Sequence, residues 1–421
     1  MRNSGTTNVA PVTEGQRTRV LWTASLSFAL MFAAWTMFGV LGIPIQKELG
    51  INDVQLSWIS AIAILNGGLW RLPFGLLADR MGGKIVFIGN LLLGAVGAFI
   101  VSRSFGYGML LMGAFLVGFA GNSFTVGSAW CAAWFPRDRQ GFALGLFGAG
   151  NVGASLTKFV GPWMITLLPP VSLAGGLLYG GWRFVPFVYT IMLLVTAAVA
   201  WLITPRRDII PGSGRSPWEM LWPLREVRVW RFGLYYTIVF GSYVAMSVTL
   251  PKYYVSVYKL PLGTAALLTT PFILASSLLR PIGGVLSDRY GPRRVTYMVF
   301  ISTIIAGILL SAKLSVIPFT ALVLVFGIAQ GIGKASTIKY VPEYYPKDVG
   351  TVVGLVGALA ALGGFVLPPA FAYLTEWSGK PQSMFWALGG LAAIALVWLH
   401  IVVIGMNRAP APAAMTAEET I

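Results

Sequence analysis

Apolar runs of about 20 residues, long enough to cross a hydrocarbon core about 30 Å thick, recur along the whole 421-residue chain. The pattern predicts roughly twelve helices, near 20–44, 56–78, 85–103, 107–133, 141–168, 181–203, 232–258, 263–286, 295–313, 316–341, 350–375 and 382–405. Residues 1–19 are polar, with Arg2, Arg17 and Arg19, and read as a tail. Residues 204–231, rich in Arg, Pro, Gly and Ser, read as a linker between six-helix sets at 20–203 and 232–405, and 406–421 as a second tail. Composition agrees: 56% of residues are hydrophobic and 10% charged, more apolar material than a soluble core of this size holds. The fold class is an all-α membrane protein.

The net charge of +16 does not imply nucleic acid, because of where it sits. Positives cluster in alternate short loops: Arg80 and Lys84; Arg137 and Arg139; Arg206, Arg207, Arg215, Arg225, Arg228 and Arg231; Arg289, Arg293 and Arg294; Lys347. This positive-inside pattern places both termini and the linker in the cytoplasm, against the anionic inner leaflet. The single cysteine, Cys131, excludes an internal disulfide, and the single histidine, His400, excludes a multi-histidine metal site. No cofactor is implied. A nucleotide loop, paired catalytic carboxylates and a nucleophile with its base are all missing, so an enzyme is not expected.

Two arginines interrupt the apolar pattern in segments that copy each other. Arg71-Leu-Pro-Phe-Gly75-Leu-Leu-Ala-Asp79-Arg80-Met-Gly82 recurs 209 positions on as Arg280-Pro-Ile-Gly-Gly284-Val-Leu-Ser-Asp288-Arg289-Tyr-Gly291. The repeat extends to Trp134-Phe135-Pro136-Arg137-Asp138 with Tyr344-Tyr345-Pro346-Lys347-Asp348, and to Gly141, Gly145 and Gly148 with Gly350, Gly354 and Gly357. Self-similarity at half the chain length means two parallel repeats that rock about a central site. The glycine faces allow close helix approach, either as static packing or as packing that also slides.

An arginine cannot shed its proton and costs about 2.5–3.5 kcal/mol or more at the bilayer centre. Two of them, symmetrically placed, suit an anion. Arg71 and Arg280 lie about 12 Å in from Asp79 and Asp288, Asn151 about 16 Å from its helix end, Phe124 and Lys334 about 15 Å, and Phe240 about 14 Å. One depth collects them, and no Asp or Glu shares it. Guanidinium forks and flat rings suit a small planar oxyanion: nitrate, nitrite, formate, bicarbonate or a small carboxylate. Lys158 reads as a snorkelling side chain. Lys339 and Glu343 read as pairing with each other or with the nearby loop.

Gly75-Leu-Leu-Ala-Asp79-Arg80-Met-Gly82-Gly-Lys84 and its copy resemble the loop motif of the major facilitator superfamily, which implies a cytoplasmic latch at Asp79, Arg80, Asp288 and Arg289. The glycine strings from Gly118 to Gly153 and from Gly331 to Gly357, with both arginines, are similar to the nitrate/nitrite porter family. That resemblance implies alternating-access transport of nitrate and nitrite, most simply as antiport, with cation symport or exchange of another planar anion as alternatives; apart from it, the expected setting is the inner membrane and the expected state a monomer. The resemblance assigns the substrate to Arg71, Arg280, Asn151, Tyr236, Phe240, Phe124 and Phe38, and movement to Gly145, Gly148, Gly354 and Gly357. Many members have Asn-Gly where this chain has Lys334-Ala335; Lys334 either adds a third charge to the cavity or turns into a helix interface.

Overall fold

The computed structural model describes residues 12–408 except 52, 177, 213 and 214. The rest of both expected tails, Arg2 included, lies outside the described residues, as does the side chain of Lys158. Twelve spans follow in order: α1 (Glu14–Trp35 and Phe38–Leu49), α2 (Asp53–Leu69 and Arg71–Met81), α3 (Gly83–Ser102), α4 (Tyr107–Gly118 and Ser123–Trp134), α5 (Gln140–Ala149 and Gly153–Leu167) and α6 (Phe184–Ile203), then α7 (Val227–Tyr236 and Ser242–Tyr258), α8 (Leu262–Leu278 and Arg280–Tyr290), α9 (Pro292–Leu310), α10 (Val316–Tyr344), α11 (Val349–Ser378) and α12 (Ser383–Arg408). A two-stranded hairpin, Ser172–Leu173 with Leu178–Tyr179, sits in the loop before α6.

Among the described residues, eight spans are individually long and apolar enough to cross a membrane, and α7 joins them as a pair bent by 47°. In the others, α2, α5 and α8, a break leaves two pieces, each too short to cross alone. In α8 the break at Leu279 precedes Arg280-Pro281, and a proline at a first helical turn has no N–H for the preceding turn. In α5 a 3₁₀ turn at Gly150–Val152 interrupts the helix. These breaks fall beside the polar residues expected at mid-depth.

The first helix starts at Glu14, earlier than its apolar run. Thr13 accepts from the Gln16 amide and Gln16 returns a bond, a capping box. Arg17 pairs with Glu14 at 2.5 Å and Arg139 with Glu14 at 3.0 Å. Charged residues end an apolar run without ending a helix, which is why hydropathy alone missed this turn.

The halves meet most tightly at the end where the positive loops gather, here the basic end. Gly75 of α2 faces the Gly350 backbone of α11, and Gly141 of α5 faces the Gly284 backbone of α8, too close for any side chain at these four positions. Farther in, the fit loosens on the α2–α11 side, where a Cβ on Gly357 would lie 3.0 Å from the Arg71 guanidinium and one on Gly68 3.7 Å from Ala361, but not on the α5–α8 side, where one on Gly148 would lie 2.4 Å from the Arg280 guanidinium.

Candidate functional site

Arg71 and Arg280 each follow a helix break, and each reaches across to the opposite half. Arg71 Nε donates to the Gly67 carbonyl (2.9 Å) and Nη1 to the Gly357 carbonyl on α11 (2.8 Å). Arg280 Nη1 donates to the Gly148 carbonyl on α5 (3.1 Å), and Nη2 lies 3.4 Å from the Tyr236 hydroxyl. Both side chains are 1% exposed. Among the described residues neither pairs with a carboxylate, so two buried charges stand without a protein counter-charge, a costly arrangement unless something else offsets it.

Rings fill the space beside them. Phe124, Tyr236 and Phe240 form a near-parallel column, with centroids 6.0 and 5.3 Å apart and interplanar angles of 9° and 5°. Arg280 lies over Phe124 at 5.2 Å, and Arg71 over Phe240 at 5.9 Å. Each cation thus faces a ring from the other half. A five-residue π-helical turn, Thr237–Gly241, sits between Tyr236 and the second part of α7; such turns recur at functional sites. Asn151 is buried, and among the described residues its Nδ2 donor has no partner, nor does Arg280 Nε.

Lys334 is fully buried. Its ammonium donates to Ser276 Oγ (2.7 Å) and the Ser276 carbonyl (3.2 Å), and lies 3.1 Å from the Tyr243 ring centroid and 5.8 Å from that of Phe240. It therefore packs between α7 and α8 and also shares Phe240 with Arg71. Phe38 is buried but makes no ring contact with this column. The α1 aromatic that does reach it is Phe28, 5.9 Å from Phe124 and stacked on Phe147 at 4.8 Å. Depth counting finds it: Phe28 is nine residues past Arg19, as Phe240 is nine past Arg231. Phe147 and Tyr243 carried no comparable mark.

At the basic end each half caps a helix of the other. Asp79 accepts from the Gly350 amide (2.8 Å), the Thr351 amide (2.7 Å) and the Thr351 hydroxyl (2.9 Å) at the start of α11. Asp288 accepts from the Gly141 and Phe142 amides, both 2.8 Å, at the start of α5. Carboxylates at helix N-termini are favoured by the free amides and the helix dipole. Lys339 pairs with Asp288 at 2.8 Å and bonds the Arg137 carbonyl; its partner is the loop and the latch, not Glu343. Arg80 and Arg289 are exposed and stand outside these bonds, Arg289 over Tyr290. Gly145 and Gly354 abut the backbones of Arg280 and Arg71, and Gly148 and Gly357 abut their guanidiniums.

The linker, which the sequence presented only as a connection, is stitched to both halves. Asp208 accepts from the Lys84 amide (2.7 Å), Trp130 (3.1 Å) and Trp134 (2.9 Å), and the Gly212 amide donates to the Asp79 carbonyl (2.9 Å). On the other side Arg215 pairs with Asp348 at 2.6 Å, and the Tyr345 hydroxyl donates to Glu226 at 2.6 Å. Burial pushes the Asp348 carboxyl above its ordinary range while the Arg215 guanidinium pulls it down.

The family model of the Major Facilitator Superfamily matches residues 24–310 and 260–419. The chain is 56% identical over 407 residues to a probable nitrate/nitrite antiporter, NarK1, of Thermus thermophilus, spanning 92% of each. It is 29% identical over 380 residues to a nitrite extrusion protein of Bacillus subtilis (strain 168), spanning 89% of this chain and 93% of that one. In shape it matches a crystal structure of the transporter FucP in the outward conformation, with a TM-score of 0.70 at 17% identity over 91% of this chain and 99% of that one; this likeness speaks for the fold alone.

Proposed function

From the premise that this chain belongs to the major facilitator superfamily, among its nitrate/nitrite porters, we propose that it carries nitrate and nitrite across the cell inner membrane by alternating access, exchanging one for the other at Arg71 and Arg280. The observation that carries the reading is the pair of buried guanidiniums, one from each half, with no carboxylate paired to them among the described residues. An anion between them supplies the missing negative charge and accepts charge-assisted bonds from both forks. Asn151 Nδ2 and Arg280 Nε are further donors for its oxygens. The ring column of Phe124, Tyr236 and Phe240 suits a flat guest, and Phe28 closes its α1 side.

Without the anion the two cations repel one another in a low dielectric, and bringing the halves together is costly. With it the repulsion is offset, so crossing accompanies loading, the condition for exchange. The basic end is the cytoplasmic end, both termini lie there, and the protein acts as a monomer. Asp79 and Asp288 hold the cytoplasmic side shut in this conformation, and the glycines at 145, 148, 354 and 357 let the halves approach. A second reading, proton- or sodium-coupled nitrate uptake, draws on Lys334, a buried cation at Phe240 that can release a proton where an arginine cannot.

The test is competition in proteoliposomes preloaded with nitrite. Labelled nitrate uptake should be suppressed by external nitrate and nitrite, and much less by formate, acetate or phosphate at equal concentration. Equal suppression by acetate would assign the site to small carboxylates instead.

A further inference from the structure

The π-helical turn of α7 takes the usual backbone donor from the Ile238 carbonyl, because the Ser242 amide skips back to the Thr237 carbonyl. A buried carbonyl left unpaired is costly. The Ser242 hydroxyl donates to the Ile238 carbonyl from within α7, and a second side chain reaches the turn from another helix. Gln330 of α10 is 0% exposed, and with its amide nitrogen turned inward it donates to the Ile238 carbonyl (3.0 Å) and the Val239 carbonyl (2.9 Å). Its other amide arm faces Thr303 Oγ1 on α9 at 3.4 Å.

The two carbonyls lie between Tyr236 and Phe240, the residues stacked at 5.3 Å with planes 5° apart. The turn that Gln330 braces is therefore the turn that sets the spacing of two rings in the column, and Phe240 is also the ring under Arg71. One helical turn further along the same helix, Lys334 reaches Tyr243 and Phe240. Both polar side chains of α10 at this depth thus act on the site-facing surface of α7.

We propose that Gln330 is a positioning residue for anion binding: it holds the π turn of α7 open so that Tyr236 and Phe240 present parallel rings to the substrate. The proposal rests on the reading of those two rings as substrate-facing. Replacing Gln330 with Met removes both donors at similar volume; replacing it with Asn keeps the amide but shortens its reach by about one carbon–carbon bond. Either lets α7 relax toward an ordinary helix, with the rings displaced.

The experiment compares Gln330→Met, Gln330→Asn, Phe240→Ala and the native full-length protein in nitrite-loaded proteoliposomes, with folded yield checked by fluorescence-detected size exclusion. The expected result is a nitrate KM raised about tenfold by both Gln330 variants, the loss of one or two hydrogen bonds' worth of binding, with maximal rate within about twofold. An unchanged KM in the Gln330 variants alongside a raised KM in Phe240→Ala overturns the proposal and leaves the site reading intact. An unchanged KM in Phe240→Ala overturns the site reading and the proposal with it. Failure of both Gln330 variants to give folded protein also overturns it, since Gln330 would then serve the fold.

Discussion

Adding one methyl group at Gly145 or Gly354 tests whether the halves close as tightly at the basic end as their backbones indicate. A Cβ on Gly145 would lie 2.5 Å from the Arg280 carbonyl oxygen and 2.9 Å from Pro281 Cα. One on Gly354 would lie 2.7 Å from the Arg71 carbonyl oxygen and 2.8 Å from Leu72 Cα. The obstructing atoms are backbone, so they cannot swing aside, and optimal contact is about 3.5–4.0 Å. Gly145→Ala must therefore push α5 and α8 apart by roughly 1 Å, and Gly354→Ala must do the same to α11 and α2. Such overpacking costs about 1–3 kcal/mol, which at 1.4 kcal/mol per tenfold shifts the equilibrium away from the closed state by about 5- to 150-fold. The readout is hydrogen exchange at the Gly141, Phe142, Gly350 and Thr351 amides, which Asp288 and Asp79 cover only while that end is shut. Exchange there should accelerate by that factor in both variants. It should not change in Gly89→Ala, where nothing lies within 4 Å of the added carbon. Unaltered protection in Gly145→Ala and Gly354→Ala would refute the idea that these glycines permit closure.

Three further outcomes follow from the same geometry. Arg71→Lys and Arg280→Lys each replace a planar fork by a point charge; loss of a charge-assisted bond worth about 1.5–3 kcal/mol should raise the nitrate KM by about 10- to 150-fold, measured by uptake into proteoliposomes. Asp79→Asn turns an amide donor toward three donors at the start of α11, so exchange at 350–351 should speed up by at least tenfold, while that at 141–142 changes less. Arg215→Asp and Asp348→Arg should each loosen the same segment, and the swapped double variant should recover at least half of the lost protection; no recovery would mean that the 2.6 Å pair contributes nothing to closure.

The twelve spans, the internal repeat and the depth of the arginines were legible because membrane crossing and duplication both leave period and length in the sequence. Arg71, Arg280, Phe124, Tyr236 and Phe240 do come together, since depth in a helix bundle is nearly a count of residues. What stayed hidden depends on direction around a helix or on breaks within one. Phe38 lies beyond the break at Thr36–Met37, a change of path that periodicity does not announce, so Phe28 takes the place expected of it. Lys339 meets Asp288 on α8 of its own half and the Arg137 carbonyl of the other, partners invisible to counting along α10. The linker acids Asp208 and Glu226 carry no mark in the sequence because their partners, Trp130, Trp134 and Tyr345, are distant along the chain. Gln330 answers a π turn that composition does not reveal.

The central claim is that the halves rock between their two arrangements only with an anion between Arg71 and Arg280. Its most direct measurement is labelled nitrate uptake into proteoliposomes that contain nitrite, nitrate or neither, each with and without an imposed pH gradient. Rapid uptake into the anion-loaded vesicles, near-background uptake into the empty ones and indifference to the gradient are what paired, uncompensated arginines predict. Equal uptake into empty vesicles, rising with external acidity, would contradict the account and move the coupling to a group that gains and loses a proton.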